Sequence, residues 1–390
     1  MRKFVLCVSA ALWCMVPGLA AAQTPDRPQS DHHEMAGDRL GEIVFPNSGN
    51  KAAQAPFLRG VKLLHSFEYV DAVDSFQEAQ KADPGFALAY WGEAMAHNYT
   101  LWSEQHTDRA RAIMMKLRPT PVARAAKAKA PREKMYMAAV EALYGPGTKF
   151  ERDGLYADRM DALAKAYPRD VEAQAFDALA TLGRSHGTRN EANYLKSGAI
   201  LERLFPTHRN HPGVVHYMIH SYDDPAHARL GLKAARLYDK IAPESPHALH
   251  MTSHIFLALG MWPETIAANQ RAQRRAMEMM PAHADRMGCG HGANWLVYAK
   301  LQAGEDPAAD IDRCRRVALD PVALAKDKTV IGGEEEDVGS LADMLVRRGV
   351  ETGQWPDAVV MPAGHFENAR FTLAYGRLLA ARHDAVAVRQ

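Results

Sequence analysis

The chain has 390 residues, 47 Lys and Arg against 46 Asp and Glu, and a formal net charge of +1. That balance leaves no strong electrostatic pull on nucleic acid or anionic lipid, so neither is an expected partner. The length is ample for a large core and suits one elongated domain or two compact ones.

Arg2 and Lys3 precede an apolar run from Phe4 to Val16, followed by Pro17, Gly18 and the small residues Ala20 to Ala22. These are the parts of a secretory signal peptide, expected to be cleaved after Ala22. The apolar run is too short to stay in a bilayer as a spanning helix, and no other stretch is a candidate span. Trp13 beside Cys14 is too large for a lipoprotein cleavage site. The mature chain, Gln23 to Gln390, is therefore expected to be exported, soluble, and periplasmic or extracellular. It keeps two of the four cysteines, Cys289 and Cys314. An oxidising compartment permits a disulfide between them. Residues 23–51 are polar and aperiodic, as in a flexible leader.

From Ala52 onward apolar residues recur at intervals of three and four, which predicts an all-α chain. "GVKLLHSFEYVDAVDSFQEAQKADP" begins at Gly60, with Tyr69, Ala72, Phe76, Ala79 and Pro84 at regular places. "LQAGEDPAADIDRCRRVALDP", from Leu301, reads as the second half of a similar unit, with Gly304 ending one helix and Ala309 packing in the next. The clearest repetition sets "HPGVVHYMIHSYDDPAHA", from His211, beside "SPHALHMTSHIFLALGMW", from Ser245. Pro212 recurs as Pro246, His216 as His250, His220 as His254 and Ala234 as Ala268, each offset by 34 residues. Residues 99–150 read as an insertion. "DKTVIGGEEEDVG", residues 327–339, reads as an irregular acidic loop. "FENARFTLAYGRLLAARHD" reads as a last amphipathic helix.

These spacings resemble the tetratricopeptide (TPR) repeat family. More narrowly, "RGVKLLHSFEY", "AYWGEAMAHN" and the two long histidine segments are similar to those of a group of secreted bacterial repeat proteins. The likeness runs from about Phe45 to Lys300. It implies a solenoid of antiparallel helix pairs over residues 52–390 whose first helices line a concave groove. It implies no reaction.

The histidines carry the chemistry. Ten of the 18 fall between His208 and His291. Residues four apart share a helix face, so His216 with His220, and His250 with His254, can each grip an ion. The resemblance places both pairs toward the groove, where four imidazoles converge in a site suited to zinc or copper. Occupancy would fall below the histidine pKa of about 6.5. The alternative is a polar lining without metal. Neither pair has the glutamate of a zinc protease motif. Asp223 or Asp224 could serve as third ligand or base, though "DDP" also reads as a capping turn. His65, His97 and His291 are further groove-lining candidates. His291 could also pair with Cys289 on a metal, with the Cys289–Cys314 disulfide as the competing use. His211 and His247 flank prolines and read as inter-repeat turns. Trp91, Trp262 and Trp295 read as core.

Two functions follow: an exported repeat protein that holds a partner protein or peptide in its groove, or a metal-binding protein or metalloenzyme built on the paired histidines. The export expectation places the N-terminus of the exported protein at Gln23, which N-terminal sequencing checks; an intact Met1 contradicts it.

Overall fold

The computed structural model describes residues 39–279, 288–320, 333–355 and 366–387. The expected signal peptide lies outside them. The described residues form 17 α-helices, and the β-structure among them is one two-stranded hairpin, Asn98–Tyr99 against Glu104–Gln105.

The helices pair in chain order. α1 (Lys51–His65) packs on α2 (Tyr69–Ala82), and α3 (Ala87–Met95) on α4 (Thr107–Leu117). The single turn α5 (Pro121–Ala125) leads to α6 (Pro131–Leu143), which packs on α7 (Lys149–Ala166). The next pairs are α8 (Val171–Gly183) with α9 (Glu191–Leu204), and α10 (Pro212–Ser221) with α11 (Ala228–Ile241). They are followed by α12 (Pro246–Ala258) with α13 (Trp262–Met279), and α14 (His291–Ala303) with α15 (Ala308–Ala318). α16 (Gly333–Thr352) and α17 (Glu367–Ala387) make the last pair. The fold is an all-α helical-repeat solenoid. No helix among the described residues is long and apolar enough to cross a membrane.

Local chemistry sets the helix starts. Asn50, Thr148, Asp170, Asn190 and Ser245 each accept a backbone N–H of the first turn through their side chains, which satisfies donors that a helix leaves open at its N-terminus. Small residues set the packing distance. Phe76 on α2 fills a slot between Gly60 on α1 and Gly92 on α3. A Cβ at Gly92 would lie 2.2 Å from the Phe76 ring, and one at Gly60 2.9 Å.

The solenoid curls until its first helix meets its fifth and sixth pairs. α1 packs on α10. The Glu42 N–H donates to the Asn210 carbonyl at 2.9 Å, Arg39 pairs with Glu244 at 2.6 Å, and the Ser245 hydroxyl donates to Glu68 at 2.5 Å. The inner face is consequently filled. Phe45, Phe57, Trp91, Phe176 and Tyr217 are at most 3% exposed, and one core runs from Leu40 to Phe256. A second core, from Cys289 to Leu373, underlies the last two pairs.

Several expectations change. Residues 39–50 are not a flexible leader; Phe45 stacks on Phe57 and edges onto Tyr136. The insertion is largely helical. The acidic run from residue 333 onward lies in α16 instead of a loop; residues 327–332 lie outside the described residues. Ala309 is exposed, and its neighbour Asp310 faces inward, paired with Lys300 at 2.6 Å. Cys289 and Cys314 are joined in a disulfide with Cα atoms 4.4 Å apart.

Asp177 on α8 is a weak point of this packing. It is 4% exposed, and one of its carboxylate oxygens has no hydrogen-bond partner. Burial, with Asp161 adding to it, pushes its pKa up from 3.8 to about 6. The folded state thus holds this proton more tightly than the unfolded chain, so stability falls as pH rises from about 4 through about 6. Asp177→Asn should remove that slope and raise stability at pH 7.5 by about 1–3 kcal/mol, read from urea midpoints at pH 4 and 7.5. An equal loss at both pH values contradicts it.

Candidate metal centre

α10 and α12 begin alike. Pro212 and Pro246 each occupy the first turn, where proline costs no hydrogen bond. The His211 ring and the Ser245 hydroxyl cap them, accepting from Val214 N at 3.3 Å and Ala248 N at 3.0 Å. The matched starts put His216 and His220 on one face of α10, and His250 and His254 on one face of α12. Within each pair the Nε2 atoms stand 3.1 Å apart.

The four rings do not converge on one point, as the sequence suggested. They head two trios. His247 brings its Nε2 to 3.2 Å from that of His216 and completes the first with His220. His291 completes the second with His250 and His254. In each trio the candidate ligand atoms lie within 4.8 Å of one another.

The protons on these rings can be counted. His216 Nδ1 donates to the His65 carbonyl at 2.6 Å. His250 Nδ1 donates to Asn269 Oδ1 at 2.6 Å, and Asn269 Nδ2 donates to the Thr265 carbonyl, which fixes the amide's orientation. His254 Nδ1 donates to Asp223 at 2.6 Å. A neutral imidazole carries one N–H. With both rings neutral, the Nε2 atoms of His250 and His254 face each other at 3.1 Å with a lone pair on each. Burial pushes His216 down to about 3, and pushes His220, His247 and His250 well below the ordinary histidine value. A metal cation placed there would bridge the lone pairs of neutral rings. Committing Nδ1–H to an outer acceptor while Nε2 points at a shared centre is how ligating histidines are held. Proton competition for the His216, His220, His247 and His250 nitrogens sets in well below the pH of about 6.5 expected for exposed rings.

Aromatic walls close the two ends. Phe67, in a left-handed backbone conformation with φ 56°, lies 4.4 Å from the His216 ring, 5.8 Å from His220 and 5.5 Å from His247. Trp295, expected in the core, lies instead 4.3 Å from His254 and 5.0 Å from His291. His216 is fully buried, His220 and His247 are half-buried, and His291 is exposed, so the cluster reaches solvent. Glu68 holds the start of α12, accepting from the Ser245 hydroxyl and from His247 N; burial pushes it up to about 7.

The other sequence candidates fall elsewhere. His65 does not line a groove. It is buried between Tyr217, at 2.9 Å, and Glu172, at 2.8 Å, while His211 reaches the other Glu172 oxygen at 3.1 Å. His65, Glu172 and His211 are close enough to hold an ion, but each ring nitrogen already has a partner. Burial alone would raise the Glu172 carboxyl; the His211 and His65 rings against it hold it well below the usual range instead. This cluster is a structural support. Gly213 makes room for it, since a Cβ there would lie 2.4 Å from His65 Nδ1. His97 stands beside His106, ring centroids 6.0 Å apart, away from the trios. Asp223 acts as an outer acceptor. Asp224 caps the turn before α11, accepting from Ala226 N and His227 N. The disulfide takes Cys289 out of any pairing with His291. His247, read from the sequence as a turn residue, is a full member of the first trio. Asn269 carried no sequence signal beyond standing next to the repeated Ala268.

No protein-family model matches the chain, and no curated protein is significantly similar to it. Among solved structures the chain is similar to the TPR domain of P58(IPK), at 12% identity over 85% of this chain and 99% of that one, with a TM-score of 0.19. A likeness at that score carries no weight for the site, and the solenoid rests on its own helix pairing.

Glu172→Ala should cost about 3–5 kcal/mol, because it strips the partner from two buried imidazoles. Urea unfolding checks this; a loss under about 1 kcal/mol contradicts the supporting role.

Proposed function

We propose that the chain is a metal-binding helical-repeat protein, with a zinc- or copper-class ion held by three imidazoles in each trio. One observation carries the reading: the Nε2 atoms of His250 and His254 stand 3.1 Å apart, while their Nδ1 atoms are held from behind by Asn269 and Asp223. With both rings neutral, two lone pairs meet there, and a metal cation against both relieves their repulsion. Three histidine ligands leave a coordination position for water or substrate, as in catalytic zinc sites. That supports a metal-dependent activity over a purely structural ion.

A partner protein or peptide is the second reading. Helical-repeat scaffolds suit such contacts. The inner face from α1 to α12 is filled, so the contact would use another surface. Phe371, Tyr375 and Leu378, spaced along one face of α17 and 50–68% exposed, provide one. An exported location belongs to the proposal too, supported by the disulfide, a bond that persists in oxidising compartments.

Titration of metal-stripped, tag-free protein with zinc and copper, read by calorimetry, should show saturable binding. Asp223→Asn or Asn269→Ala should weaken it by about 10–100-fold, and His208→Ala should leave it unchanged. Helical content should hold in each variant, because the site sits on a preformed solenoid. Absence of saturable binding, or binding indifferent to loss of the six histidines, overturns the reading.

A further inference from the structure

The two trios share a helix. On α12, His247 serves the first trio while His250 and His254 serve the second. Across the boundary the His220 ring lies 5.9 Å from that of His254, and the His247 ring 6.3 Å from that of His250. Ring separations within the trios, His220 with His247 apart, run from 4.8 to 5.8 Å. The boundary is therefore scarcely wider than the trios themselves. The aromatic walls, Phe67 and Trp295, stand at the two outer ends. Six imidazoles thus form one continuous row.

We propose that this row holds a single two-ion copper centre, in which the ions interact, and not two independent sites. The proposal rests on the metal-binding reading above and adds the identity and coupling of the ions.

The donor set and its charge point to copper. All six direct donors are neutral imidazoles. Among the described residues the carboxylates placed against the row are Asp223, on His254 Nδ1, and Glu68, at the start of α12. Two adjacent divalent ions would place four positive charges beside the aromatic walls, against these two carboxylates among the described residues. Electrostatic repulsion scales with the product of the charges, so two monovalent ions at the same spacing repel with a quarter of that energy. Desolvation of the ions falls with charge as well. Copper is the imidazole-binding metal with an accessible monovalent state, and its divalent state heads the affinity order for such ligands. A pair entering as Cu(I) can then give up one electron per ion to an external oxidant without changing its ligands.

The test uses the full, tag-free chain. Load it with Cu(I) without oxygen, remove unbound metal, oxidise with hexacyanoferrate, and measure copper per chain and the electron paramagnetic resonance signal. The expected result is two copper ions per chain with fewer than half the spins that the copper content requires, or a signal broadened by the neighbouring ion. His291→Ala alters an exposed ring and spares the fold. It should leave one tightly bound copper and restore one full spin per copper. His247→Ala should do the same from the other side. Two ions per chain that each give a full isolated signal overturn the coupling. Zinc at both trios that copper does not displace overturns the choice of metal. No bound metal of either kind overturns the metal-binding reading itself, and this inference with it.

Discussion

The carbonyl of His65 accepts the Nδ1 proton of His216 at 2.6 Å, and through this bond the first helix sets the direction of a ring 151 residues later. His65 ends α1, where the last carbonyls of a helix lack partners within it. An unfilled acceptor at a helix end thus becomes the outer support of a candidate ligand. His65 is held in turn by Glu172 and Tyr217. Glu172 stays charged because His211 and His65 lie against it. Loss of this buried carboxylate would disturb the first trio without touching any of its rings.

That support requires the curl of the solenoid. An open helical array would leave α1 far from α10 and its inner face free for a peptide. Here Arg39, Glu42 and Glu68 tie the start of the chain to the α10–α12 region, and aromatic side chains fill the space between. The molecule exchanges an open groove for a fixed row of imidazoles. The cluster keeps a solvent edge at His291, His220 and His247, while His216 is sealed at its base. This arrangement admits a small ion and its solvent more readily than an extended chain.

The sequence made some of this legible and not the rest. The 34-residue offset, the proline starts and the HxxxH spacing are local properties, readable from periodicity. They locate His216, His220, His250 and His254 on matching faces. The third member of each trio comes from the start of the following inner helix, so its place depends on how successive repeats stack. No spacing within one helix reveals that His247 turns back to His216 while its helix neighbours serve another trio. Phe67 and Asn269 are fixed by contacts between elements and carried no pattern, while Asp223, a ligand or base candidate in the sequence, stands behind His254 Nδ1 instead. His65 was misread for a related reason: its position on an inner helix was right, but the curl buries that helix.

The central claim is that the Nε2 atoms of His216, His250 and His254 point into their trios because their Nδ1 atoms are held from behind. The most direct test is diffraction from crystals of the metal-loaded protein, with data on both sides of the absorption edge of the bound metal. Two anomalous peaks should appear, one about 2.0–2.1 Å from the Nε2 atoms of His216, His220 and His247, the other equally placed among His250, His254 and His291. No peak at either trio, or a peak among His65, Glu172 and His211 instead, would contradict the account.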